Sequence, residues 1–256
     1  MTLDQLANEQ PITTEEKIRT FTITPWLMLL SRLVLFILFQ ASIALGFYLA
    51  KNSTPWEQSL KYWPLGIILA NVLCFIFLYF FYKSQGISYF AKFKFQKEFL
   101  KRDLLISIGL LVLFIVLSMA PNIGLATLLF GNPQAGLEMM DSGIPLWVKL
   151  VSLIMFPLTQ MFTEIPMYMV YSAPELEKQG VKSWLAFLLA ALFLSFQHMA
   201  MPLILDGLII AYRLLMFIPL ALFIGFVIWK KPRLLPYMII IHGLMDLSLV
   251  ITMLVL

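Results

Sequence analysis

Three ionisable side chains lie inside apolar runs of this 256-residue chain, and they are its strongest candidates for chemistry. They are Glu164, His198 and His242, and the two histidines are the only ones in the sequence. Asp246 follows His242 by four residues, a spacing that places both side chains on one face of a helix. Because an ionisable group inside a membrane span is costly and usually marks a functional site, we expect all four to converge on one cavity.

A carboxylate and two imidazoles in one cavity suit hydrolytic chemistry on a bound water. Glu164 is predicted to be the base that activates the water, and His198 to share or orient it. Asp246, which only accepts hydrogen bonds when ionised, is predicted to hold His242 in one tautomer or to act while protonated. The same four residues are also a ligand set that zinc accepts, with an open position for water. The sequence has no local His-Glu-x-x-His arrangement, so the need for zinc or any other cofactor stays open.

Each of these polar side chains also has a simpler interpretation. An intramembrane histidine commonly makes a hydrogen bond between helices, and Asp246 can pair with Arg213 or Lys149 from a neighbouring helix. Two histidines on neighbouring helices can ligate a b-type haem, and a lone glutamate can relay protons in a transporter. Haem prefers an apolar surround, and a transporter of this kind is expected to show paired inverted repeats, which we do not find in the sequence. We therefore favour a hydrolytic cavity over both.

The elements that must position these residues are transmembrane helices. Hydrophobic residues make up 61% of the chain and charged residues 12%, against about 25% charged in a typical soluble domain. About 20 apolar residues span a bilayer, and the segments of suitable length are 25–50, 62–82, 103–120, 147–171, 183–200, 208–229 and 235–256. The run 121–131 either extends the third span past a proline or forms a short re-entrant piece, so an eighth span is an alternative. The predicted fold is an all-α polytopic transmembrane bundle, with residues 1–256 in one domain.

The distribution of basic residues predicts the orientation of this bundle. The connection 83–102 holds six lysines and arginines, whereas 131–146 holds none, so the former is assigned to the cytoplasm together with the polar N-terminal tail 1–23. The net charge of +4 comes from residues beside the spans, which predicts membrane lipids rather than nucleic acid as partners. Aromatic residues and lysines alternate irregularly within 83–102, as in a segment lying on anionic lipid, and a partner-binding site is the alternative. We expect a multi-pass protein of a bacterial cell membrane.

The helix that carries Glu164 is predicted to be irregular. Pro157 and Pro166 flank Glu164, so the fourth span is expected to be kinked or opened there, which frees backbone carbonyls and makes room for water. Glu164 and His242 both lie about 10–12 Å from the predicted cytoplasmic face at 1.5 Å per residue, and the cavity is predicted to open on that side. His198 lies nearer the opposite face if the fifth span is straight. Either that helix starts deeper in the membrane, or the span assignment is wrong.

The order of these residues resembles the CAAX prenyl protease and bacteriocin-processing family of intramembrane proteases, also called the CPBP or Abi family. That family carries three motifs, Glu-Glu-x-x-x-Arg, Phe-x-x-x-His and His-x-x-x-Asn/Asp, on separate spans of an all-helical bundle. Over approximately residues 145–256, Glu164 matches the first glutamate of the first motif and His198 the histidine of the second. His242 with Asp246 matches the third motif.

The resemblance implies an intramembrane endopeptidase, often called a metalloprotease, that hydrolyses a membrane-bound peptide or protein or a lipidated C-terminus. The third-motif residues of the family resemble an oxyanion hole, a role that would fall to His242 here. The chain departs from the first motif, because Ile165 replaces the second glutamate and Tyr168 or Met169 stands in place of the arginine. Leu194 replaces the phenylalanine of the second motif. The alternative is a non-catalytic relative that acts as a membrane scaffold or a bacteriocin-immunity protein.

Overall fold

The structure is a computed structural model that describes residues 22–141 and 143–255. Over that part of the chain, seven helical stretches are long and apolar enough to cross a membrane. They are Thr24–Leu49, Trp63–Ser84, Tyr89–Phe130, Leu146–Lys178, Ser183–Ala200, Gly207–Lys230 and Pro232–Val255. The predicted all-α polytopic bundle is therefore confirmed. Residues 1–21 of the predicted cytoplasmic tail lie outside the described residues.

The secondary structure of the described residues consists of helices joined by short turns. In chain order the α-helices are α1 Thr24–Leu49, α2 Pro55–Leu60, α3 Trp63–Ser84, α4 Leu100–Phe130, α5 Ala135–Met140, α6 Leu146–Met161, α7 Ala173–Lys178, α8 Ser183–Phe196, α9 Gly207–Met216, α10 Ile218–Lys230 and α11 Leu235–Val255. The 3₁₀ turns are Tyr89–Phe93, Lys97–Phe99, Gln197–Ala200 and Pro232–Leu234, and Pro166–Ser172 is π-helical. Large apolar side chains such as Leu105 and Leu128 on α4 remain exposed, as expected of helices that face lipid.

The third span includes the run 121–131. Helix α4 continues through Pro121 to Phe130 as one element. It ends at Gly131, whose φ of 67° is a left-handed conformation that glycine adopts at little cost. Of the two predicted alternatives, the structure thus has the extended third span rather than an eighth one.

The fourth span is interrupted at Phe162 and Thr163, next to Glu164, whereas the predicted break at Pro157 is absent because α6 continues through it. Helix α6 ends at Met161, and Pro166 begins the π-helical segment that leads into α7. Proline has no N–H to donate, so the regular ladder of helical hydrogen bonds cannot continue across this point. The backbone carbonyl of Phe162, inside the break, instead accepts a hydrogen bond from the Tyr89 hydroxyl.

The spans that carry the predicted site residues pack directly on one another. Helix α11 lies along α6, and α10 lies along α8. Gly243 faces Met161 so closely that a Cβ atom at position 243 would collide with its side chain. This close approach brings His242, the preceding residue, next to the end of α6. Helices α1 and α3 also pack together, and α3 packs against α6, so the first spans flank the same region.

The connection between α3 and α4 packs partly on the bundle. Tyr89 is buried, and the rings of Phe90 and Phe93 lie edge-on against Phe162. One side of Phe90 and the side chain of Phe95 stay exposed. Contact with anionic lipid remains the prediction for this exposed side.

Candidate functional site

The four predicted site residues come together in the interior of the bundle. Glu164 Oε1 lies 3.8 Å from His198 Nε2, and Glu164 Oε2 lies 3.8 Å from His242 Nε2. His242 Nδ1 lies 3.1 Å from Asp246 Oδ2. Histidines from two other spans therefore flank one carboxylate, and that carboxylate is only 1% exposed.

Both oxygens of Glu164 also contact cationic or amide groups. Arg32 Nη2 donates to Oε2 at 3.2 Å, and Gln197 Nε2 donates to Oε1 at 2.7 Å. A buried carboxylate is costly unless it is paired and hydrogen-bonded, and these two contacts supply both conditions. They also fix the plane of the carboxylate, so that each oxygen faces one histidine.

Arg32 is held in turn by three amide side chains. Its Nε donates to Gln197 Oε1 at 2.5 Å, Nη1 to Asn71 Oδ1 at 2.5 Å and Nη2 to Gln160 Oε1 at 2.6 Å. Asn71 Nδ2 also donates to Gln160 Oε1 at 2.9 Å. The guanidinium, which is 0% exposed, thus connects α1, α3, α6 and the turn after α8 into one polar network.

Sequence reasoning did not identify this network. Arg32, Asn71, Gln160 and Gln197 each lie within an apolar run, and polar side chains in such runs are usually buried against neighbouring helices. That signal marks them as buried partners. It does not say which residue each one meets, because no local spacing connects four different spans.

His198 lies on the 3₁₀ turn that follows α8. Its Nδ1 is 3.1 Å from the carbonyl oxygen of Ser195, which assigns the proton to Nδ1 and leaves Nε2 as an acceptor. Gln40 of α1 holds the following segment, since its side chain bonds both the N–H and the carbonyl of Leu203 at 2.8 and 2.9 Å. Arg213 donates to the carbonyls of Met201 and Pro202. A straight fifth span was expected to place His198 nearer the opposite face of the membrane than Glu164. The two side chains nevertheless lie 3.8 Å apart.

His242 and Asp246 share one face of α11, as their spacing predicts. The alternative pairing of Asp246 with Arg213 or Lys149 is wrong for the described residues. Arg213 binds backbone carbonyls, and Lys149 pairs with Asp141 at 2.8 Å. Asp246 Oδ2 instead lies 3.1 Å from His242 Nδ1, although the two atoms do not form a hydrogen bond with good geometry, and His242 Nε2 lies on the side of Glu164.

A cavity of about 260 Å³ adjoins these residues. Its floor is formed by Glu164, His198, His242 and Asp246. The rest of its wall comes largely from residues 114–122 of α4, 220–224 of α10 and 245–252 of α11. On α4 and α11 these residues lie in the half of the helix away from its predicted cytoplasmic end. On the predicted topology, the cavity therefore extends from Glu164 toward the non-cytoplasmic ends of α4 and α11, and the side on which it opens stays a prediction.

The described residues do not fit a metal centre. Within residues 22–141 and 143–255, no group of three or more histidine, cysteine or acidic side chains has an arrangement that holds a metal ion. The guanidinium of Arg32 occupies one side of Glu164 Oε2 and brings a positive charge where a cation would have to bind. A haem iron is equally excluded between the histidines, because Nε2 of each one faces the same carboxylate.

The arrangement suits the binding of one water molecule. Glu164 Oε1 and His198 Nε2 are both acceptors in the tautomer assigned above, and they lie 3.8 Å apart. A water in the cavity can donate one hydrogen bond to each. On the other side of the carboxylate, His242 Nε2 is a donor when the ring is protonated, and the Asp246 carboxylate lies 3.1 Å from Nδ1.

The resemblance to a known family stays a prediction from the sequence. Comparison with protein-family models, with curated proteins and with solved structures finds no match to this chain. The resemblance to the family of intramembrane proteases is therefore carried only by Glu164, His198 and the pair His242 and Asp246.

Proposed function

We propose that the protein is an intramembrane endopeptidase in which Glu164 activates water. The observation that carries this proposal is the position of the Glu164 carboxylate, buried between two imidazole Nε2 atoms at 3.8 Å on the floor of a cavity. The substrate class follows from the location, since only a membrane-bound peptide or protein can present a peptide bond at this depth. The departures at Ile165 and Met169 do not leave Glu164 without a cationic partner, because Arg32 fills that role.

The reaction follows from the positions of the acceptors and donors. Glu164 takes a proton from the water that His198 Nε2 orients, and the water oxygen attacks the carbonyl carbon of the scissile peptide bond. Protonated His242 donates through Nε2 to the oxyanion that forms, and such donors are worth about 3–4 kcal/mol each in other hydrolases. Glu164 then gives its proton to the leaving nitrogen. The C–N bond breaks, and an acid and an amine are released.

The test compares peptide termini in membranes from cells that express the wild-type chain or Glu164→Gln. Glutamine retains the shape of the side chain but cannot accept a proton, so we expect a set of new termini to vanish in this variant. Glu57→Gln is the matched control, because Glu57 is exposed outside the spans and the same chemical change there should leave every terminus in place. Expression of all three chains is equalised by immunoblot.

A second candidate function is a non-catalytic membrane scaffold or bacteriocin-immunity protein. One observation favours it, namely that both oxygens of Glu164 already have hydrogen-bond partners in Arg32 and Gln197. A purely structural carboxylate would show the same contacts. In that case the termini of wild type and Glu164→Gln are identical while the variant still loses the cellular phenotype, and the peptidase proposal fails.

A further inference from the structure

Two pairs of small polar side chains line the part of the cavity beyond the four site residues. Ser118 and Asn122 lie on α4, and Ser248 and Thr252 lie on α11. Within each pair the spacing is four residues, so the two side chains point the same way one helical turn apart. These pairs stand on different helices and face one cavity.

The surroundings make these four side chains distinct. The remaining wall is largely apolar, and it includes five methionines: Met119, Met140, Met201, Met216 and Met245. Methionine is flexible and adapts to varied apolar shapes. The cavity therefore suits a ligand that has apolar side groups and a regular series of polar atoms. A plain hydrocarbon chain fits less well, because it cannot form hydrogen bonds with the four polar side chains.

Asn122 lines the cavity and has an amide group with one oriented side. Its Oδ1 accepts a hydrogen bond from the Tyr212 hydroxyl at 2.6 Å, which fixes the amide and directs its N–H groups elsewhere. The hydroxyls of Ser118 and Thr252 donate to carbonyls of their own helices, at 3.0 Å to Ile115 and 2.9 Å to Ser248. Their oxygens still have lone pairs that can accept an N–H. The wall thus offers both a donor and acceptors.

We propose that these four residues bind the unwound backbone of the substrate, on the side of the scissile bond away from the predicted cytoplasmic face. This inference rests on the proposed peptidase function. A helical substrate shields its carbonyls, so cleavage requires an extended segment, whose free N–H and C=O groups cannot remain unsatisfied inside a membrane. One helical turn of four residues rises about 6 Å, and two residues of extended chain span about 7 Å at most. Each pair therefore matches alternate backbone groups of an extended peptide.

The direction of the cavity also assigns the route of the substrate. Because the lining residues lie in the halves of α4 and α11 away from the predicted cytoplasmic ends, the peptide reaches Glu164 from the opposite half of the bilayer. Such a substrate carries its scissile bond in or beside a membrane-embedded segment with bulky apolar side chains.

The functional test uses Asn122→Leu with Thr252→Val, in membranes where Glu164-dependent termini have been identified. Both changes keep the number and branching of the side-chain heavy atoms and remove the polar groups, so we expect the yield of those termini to fall about tenfold. Tyr212→Phe is the comparison for Asn122, because it removes the hydrogen bond that fixes the amide but leaves the amide in place, so its yield should lie between the wild type and Asn122→Leu. Thr127→Val is the control for Thr252, since Thr127 makes the same kind of bond to Ile123 on an exposed face of α4. Thr127→Val should retain wild-type yield.

Several outcomes would overturn the inference without touching the proposed function. If Tyr212→Phe lowers the yield as much as Asn122→Leu, the role of Asn122 is structural. If the double variant cleaves at the wild-type level while Glu164→Gln does not cleave, the backbone is bound elsewhere. If Glu164→Gln changes no termini, the peptidase proposal itself has failed, and this inference fails with it.

The route is tested separately by thiol labelling, which needs no enzymatic activity. The single native cysteine is removed by Cys74→Ala, and Ser118→Cys is treated with a membrane-impermeant maleimide in intact cells. Lys51→Cys and Lys94→Cys, in exposed segments at opposite ends of the bundle, report which side the reagent reaches. We expect Ser118→Cys to be labelled together with Lys51→Cys. Labelling only after permeabilisation, together with Lys94→Cys, would overturn the proposed route.

Discussion

At the scale of single residues, the pairing of Arg32 with Glu164 dominates the energetics of the site. Both side chains are almost fully buried, at 0% and 1% exposure, and the contact between them is 3.2 Å. Removal of one partner from a buried pair leaves an uncompensated charge and typically costs about 3–5 kcal/mol. Arg32 also binds three amides through separate nitrogens, which a lysine with its single ammonium cannot reproduce.

We therefore predict that Arg32→Gln destabilises the protein by about 3–5 kcal/mol, measured as thermal unfolding in detergent. The double variant Arg32→Gln with Glu164→Gln removes both charges, so it should be more stable than Arg32→Gln alone. Arg32→Lys should fall between Arg32→Gln and the wild type. If the decreases in stability of Arg32→Gln and Glu164→Gln simply add in the double variant, the two residues do not interact and the ion pair is incorrect.

The candidate residues show what can be predicted from sequence at this scale. Glu164, His198 and His242 were found because each is the rarest kind of group in its apolar run, and Asp246 because its spacing from His242 fixes a shared face. Arg32 was not found, since its partners lie 39 to 165 residues away in sequence. Contacts across that separation depend on how helices pack, which no local pattern encodes.

At the scale of elements, α4 is the cavity-lining span that is least buried in the bundle. Only 17% of its most apolar 18-residue stretch is buried, the smallest share among the seven spans of the described residues. At its beginning, Asp103 is 1% exposed and accepts from Arg233 Nε at 3.0 Å through both carboxylate oxygens. This bond joins α4 to the turn between α10 and α11, which form the rest of the wall.

Arg233→Gln is predicted to destabilise the protein by about 1–3 kcal/mol, because it leaves the buried Asp103 carboxylate without its charge-assisted bond. Arg102→Gln is the matched control. Arg102 lies 3.9 Å from the same carboxylate but is 55% exposed, so its loss should cost less than about 0.5 kcal/mol. Thermal unfolding of the two variants in the same detergent distinguishes them. Equal decreases in stability would mean that the positive charges near Asp103 stabilise its carboxylate together, rather than Arg233 alone.

Elements were predicted more reliably than the cavity they enclose. The spans follow from runs of about 20 apolar residues, and the break at Glu164 follows from the chemistry of Pro166. The end of α4 at Gly131 and the 3₁₀ turn that carries His198 depend on packing, and the sequence marks neither of them uniquely. The shape of the cavity could not be predicted, because it depends on where side chains fail to fill the bundle.

At the scale of the whole molecule, the family-like region 145–256 cannot be separated from the spans before it. Arg32 on α1 and Asn71 on α3 complete the polar network around Glu164, and Gln40 on α1 holds the segment after His198. The early spans also form part of the core, with Leu29, Cys74 and Leu78 buried against the residues that follow Glu164. The motif residues alone therefore do not define a complete site.

This dependence is tested by dividing the chain into fragments 1–144 and 145–256. Expressed alone, 145–256 would retain Glu164 without Arg32, an unpaired buried charge that costs several kcal/mol, so we expect it to aggregate or be degraded. Co-expression with 1–144 should restore a complex that copurifies in detergent and regains Glu164-dependent cleavage. Fragment 1–144 carrying Arg32→Gln should restore little of the complex and of the cleavage. Fragment 1–144 carrying Ser42→Ala, at an exposed position of α1, should restore both fully. A monodisperse and active 145–256 fragment would instead show that the first three spans serve another purpose.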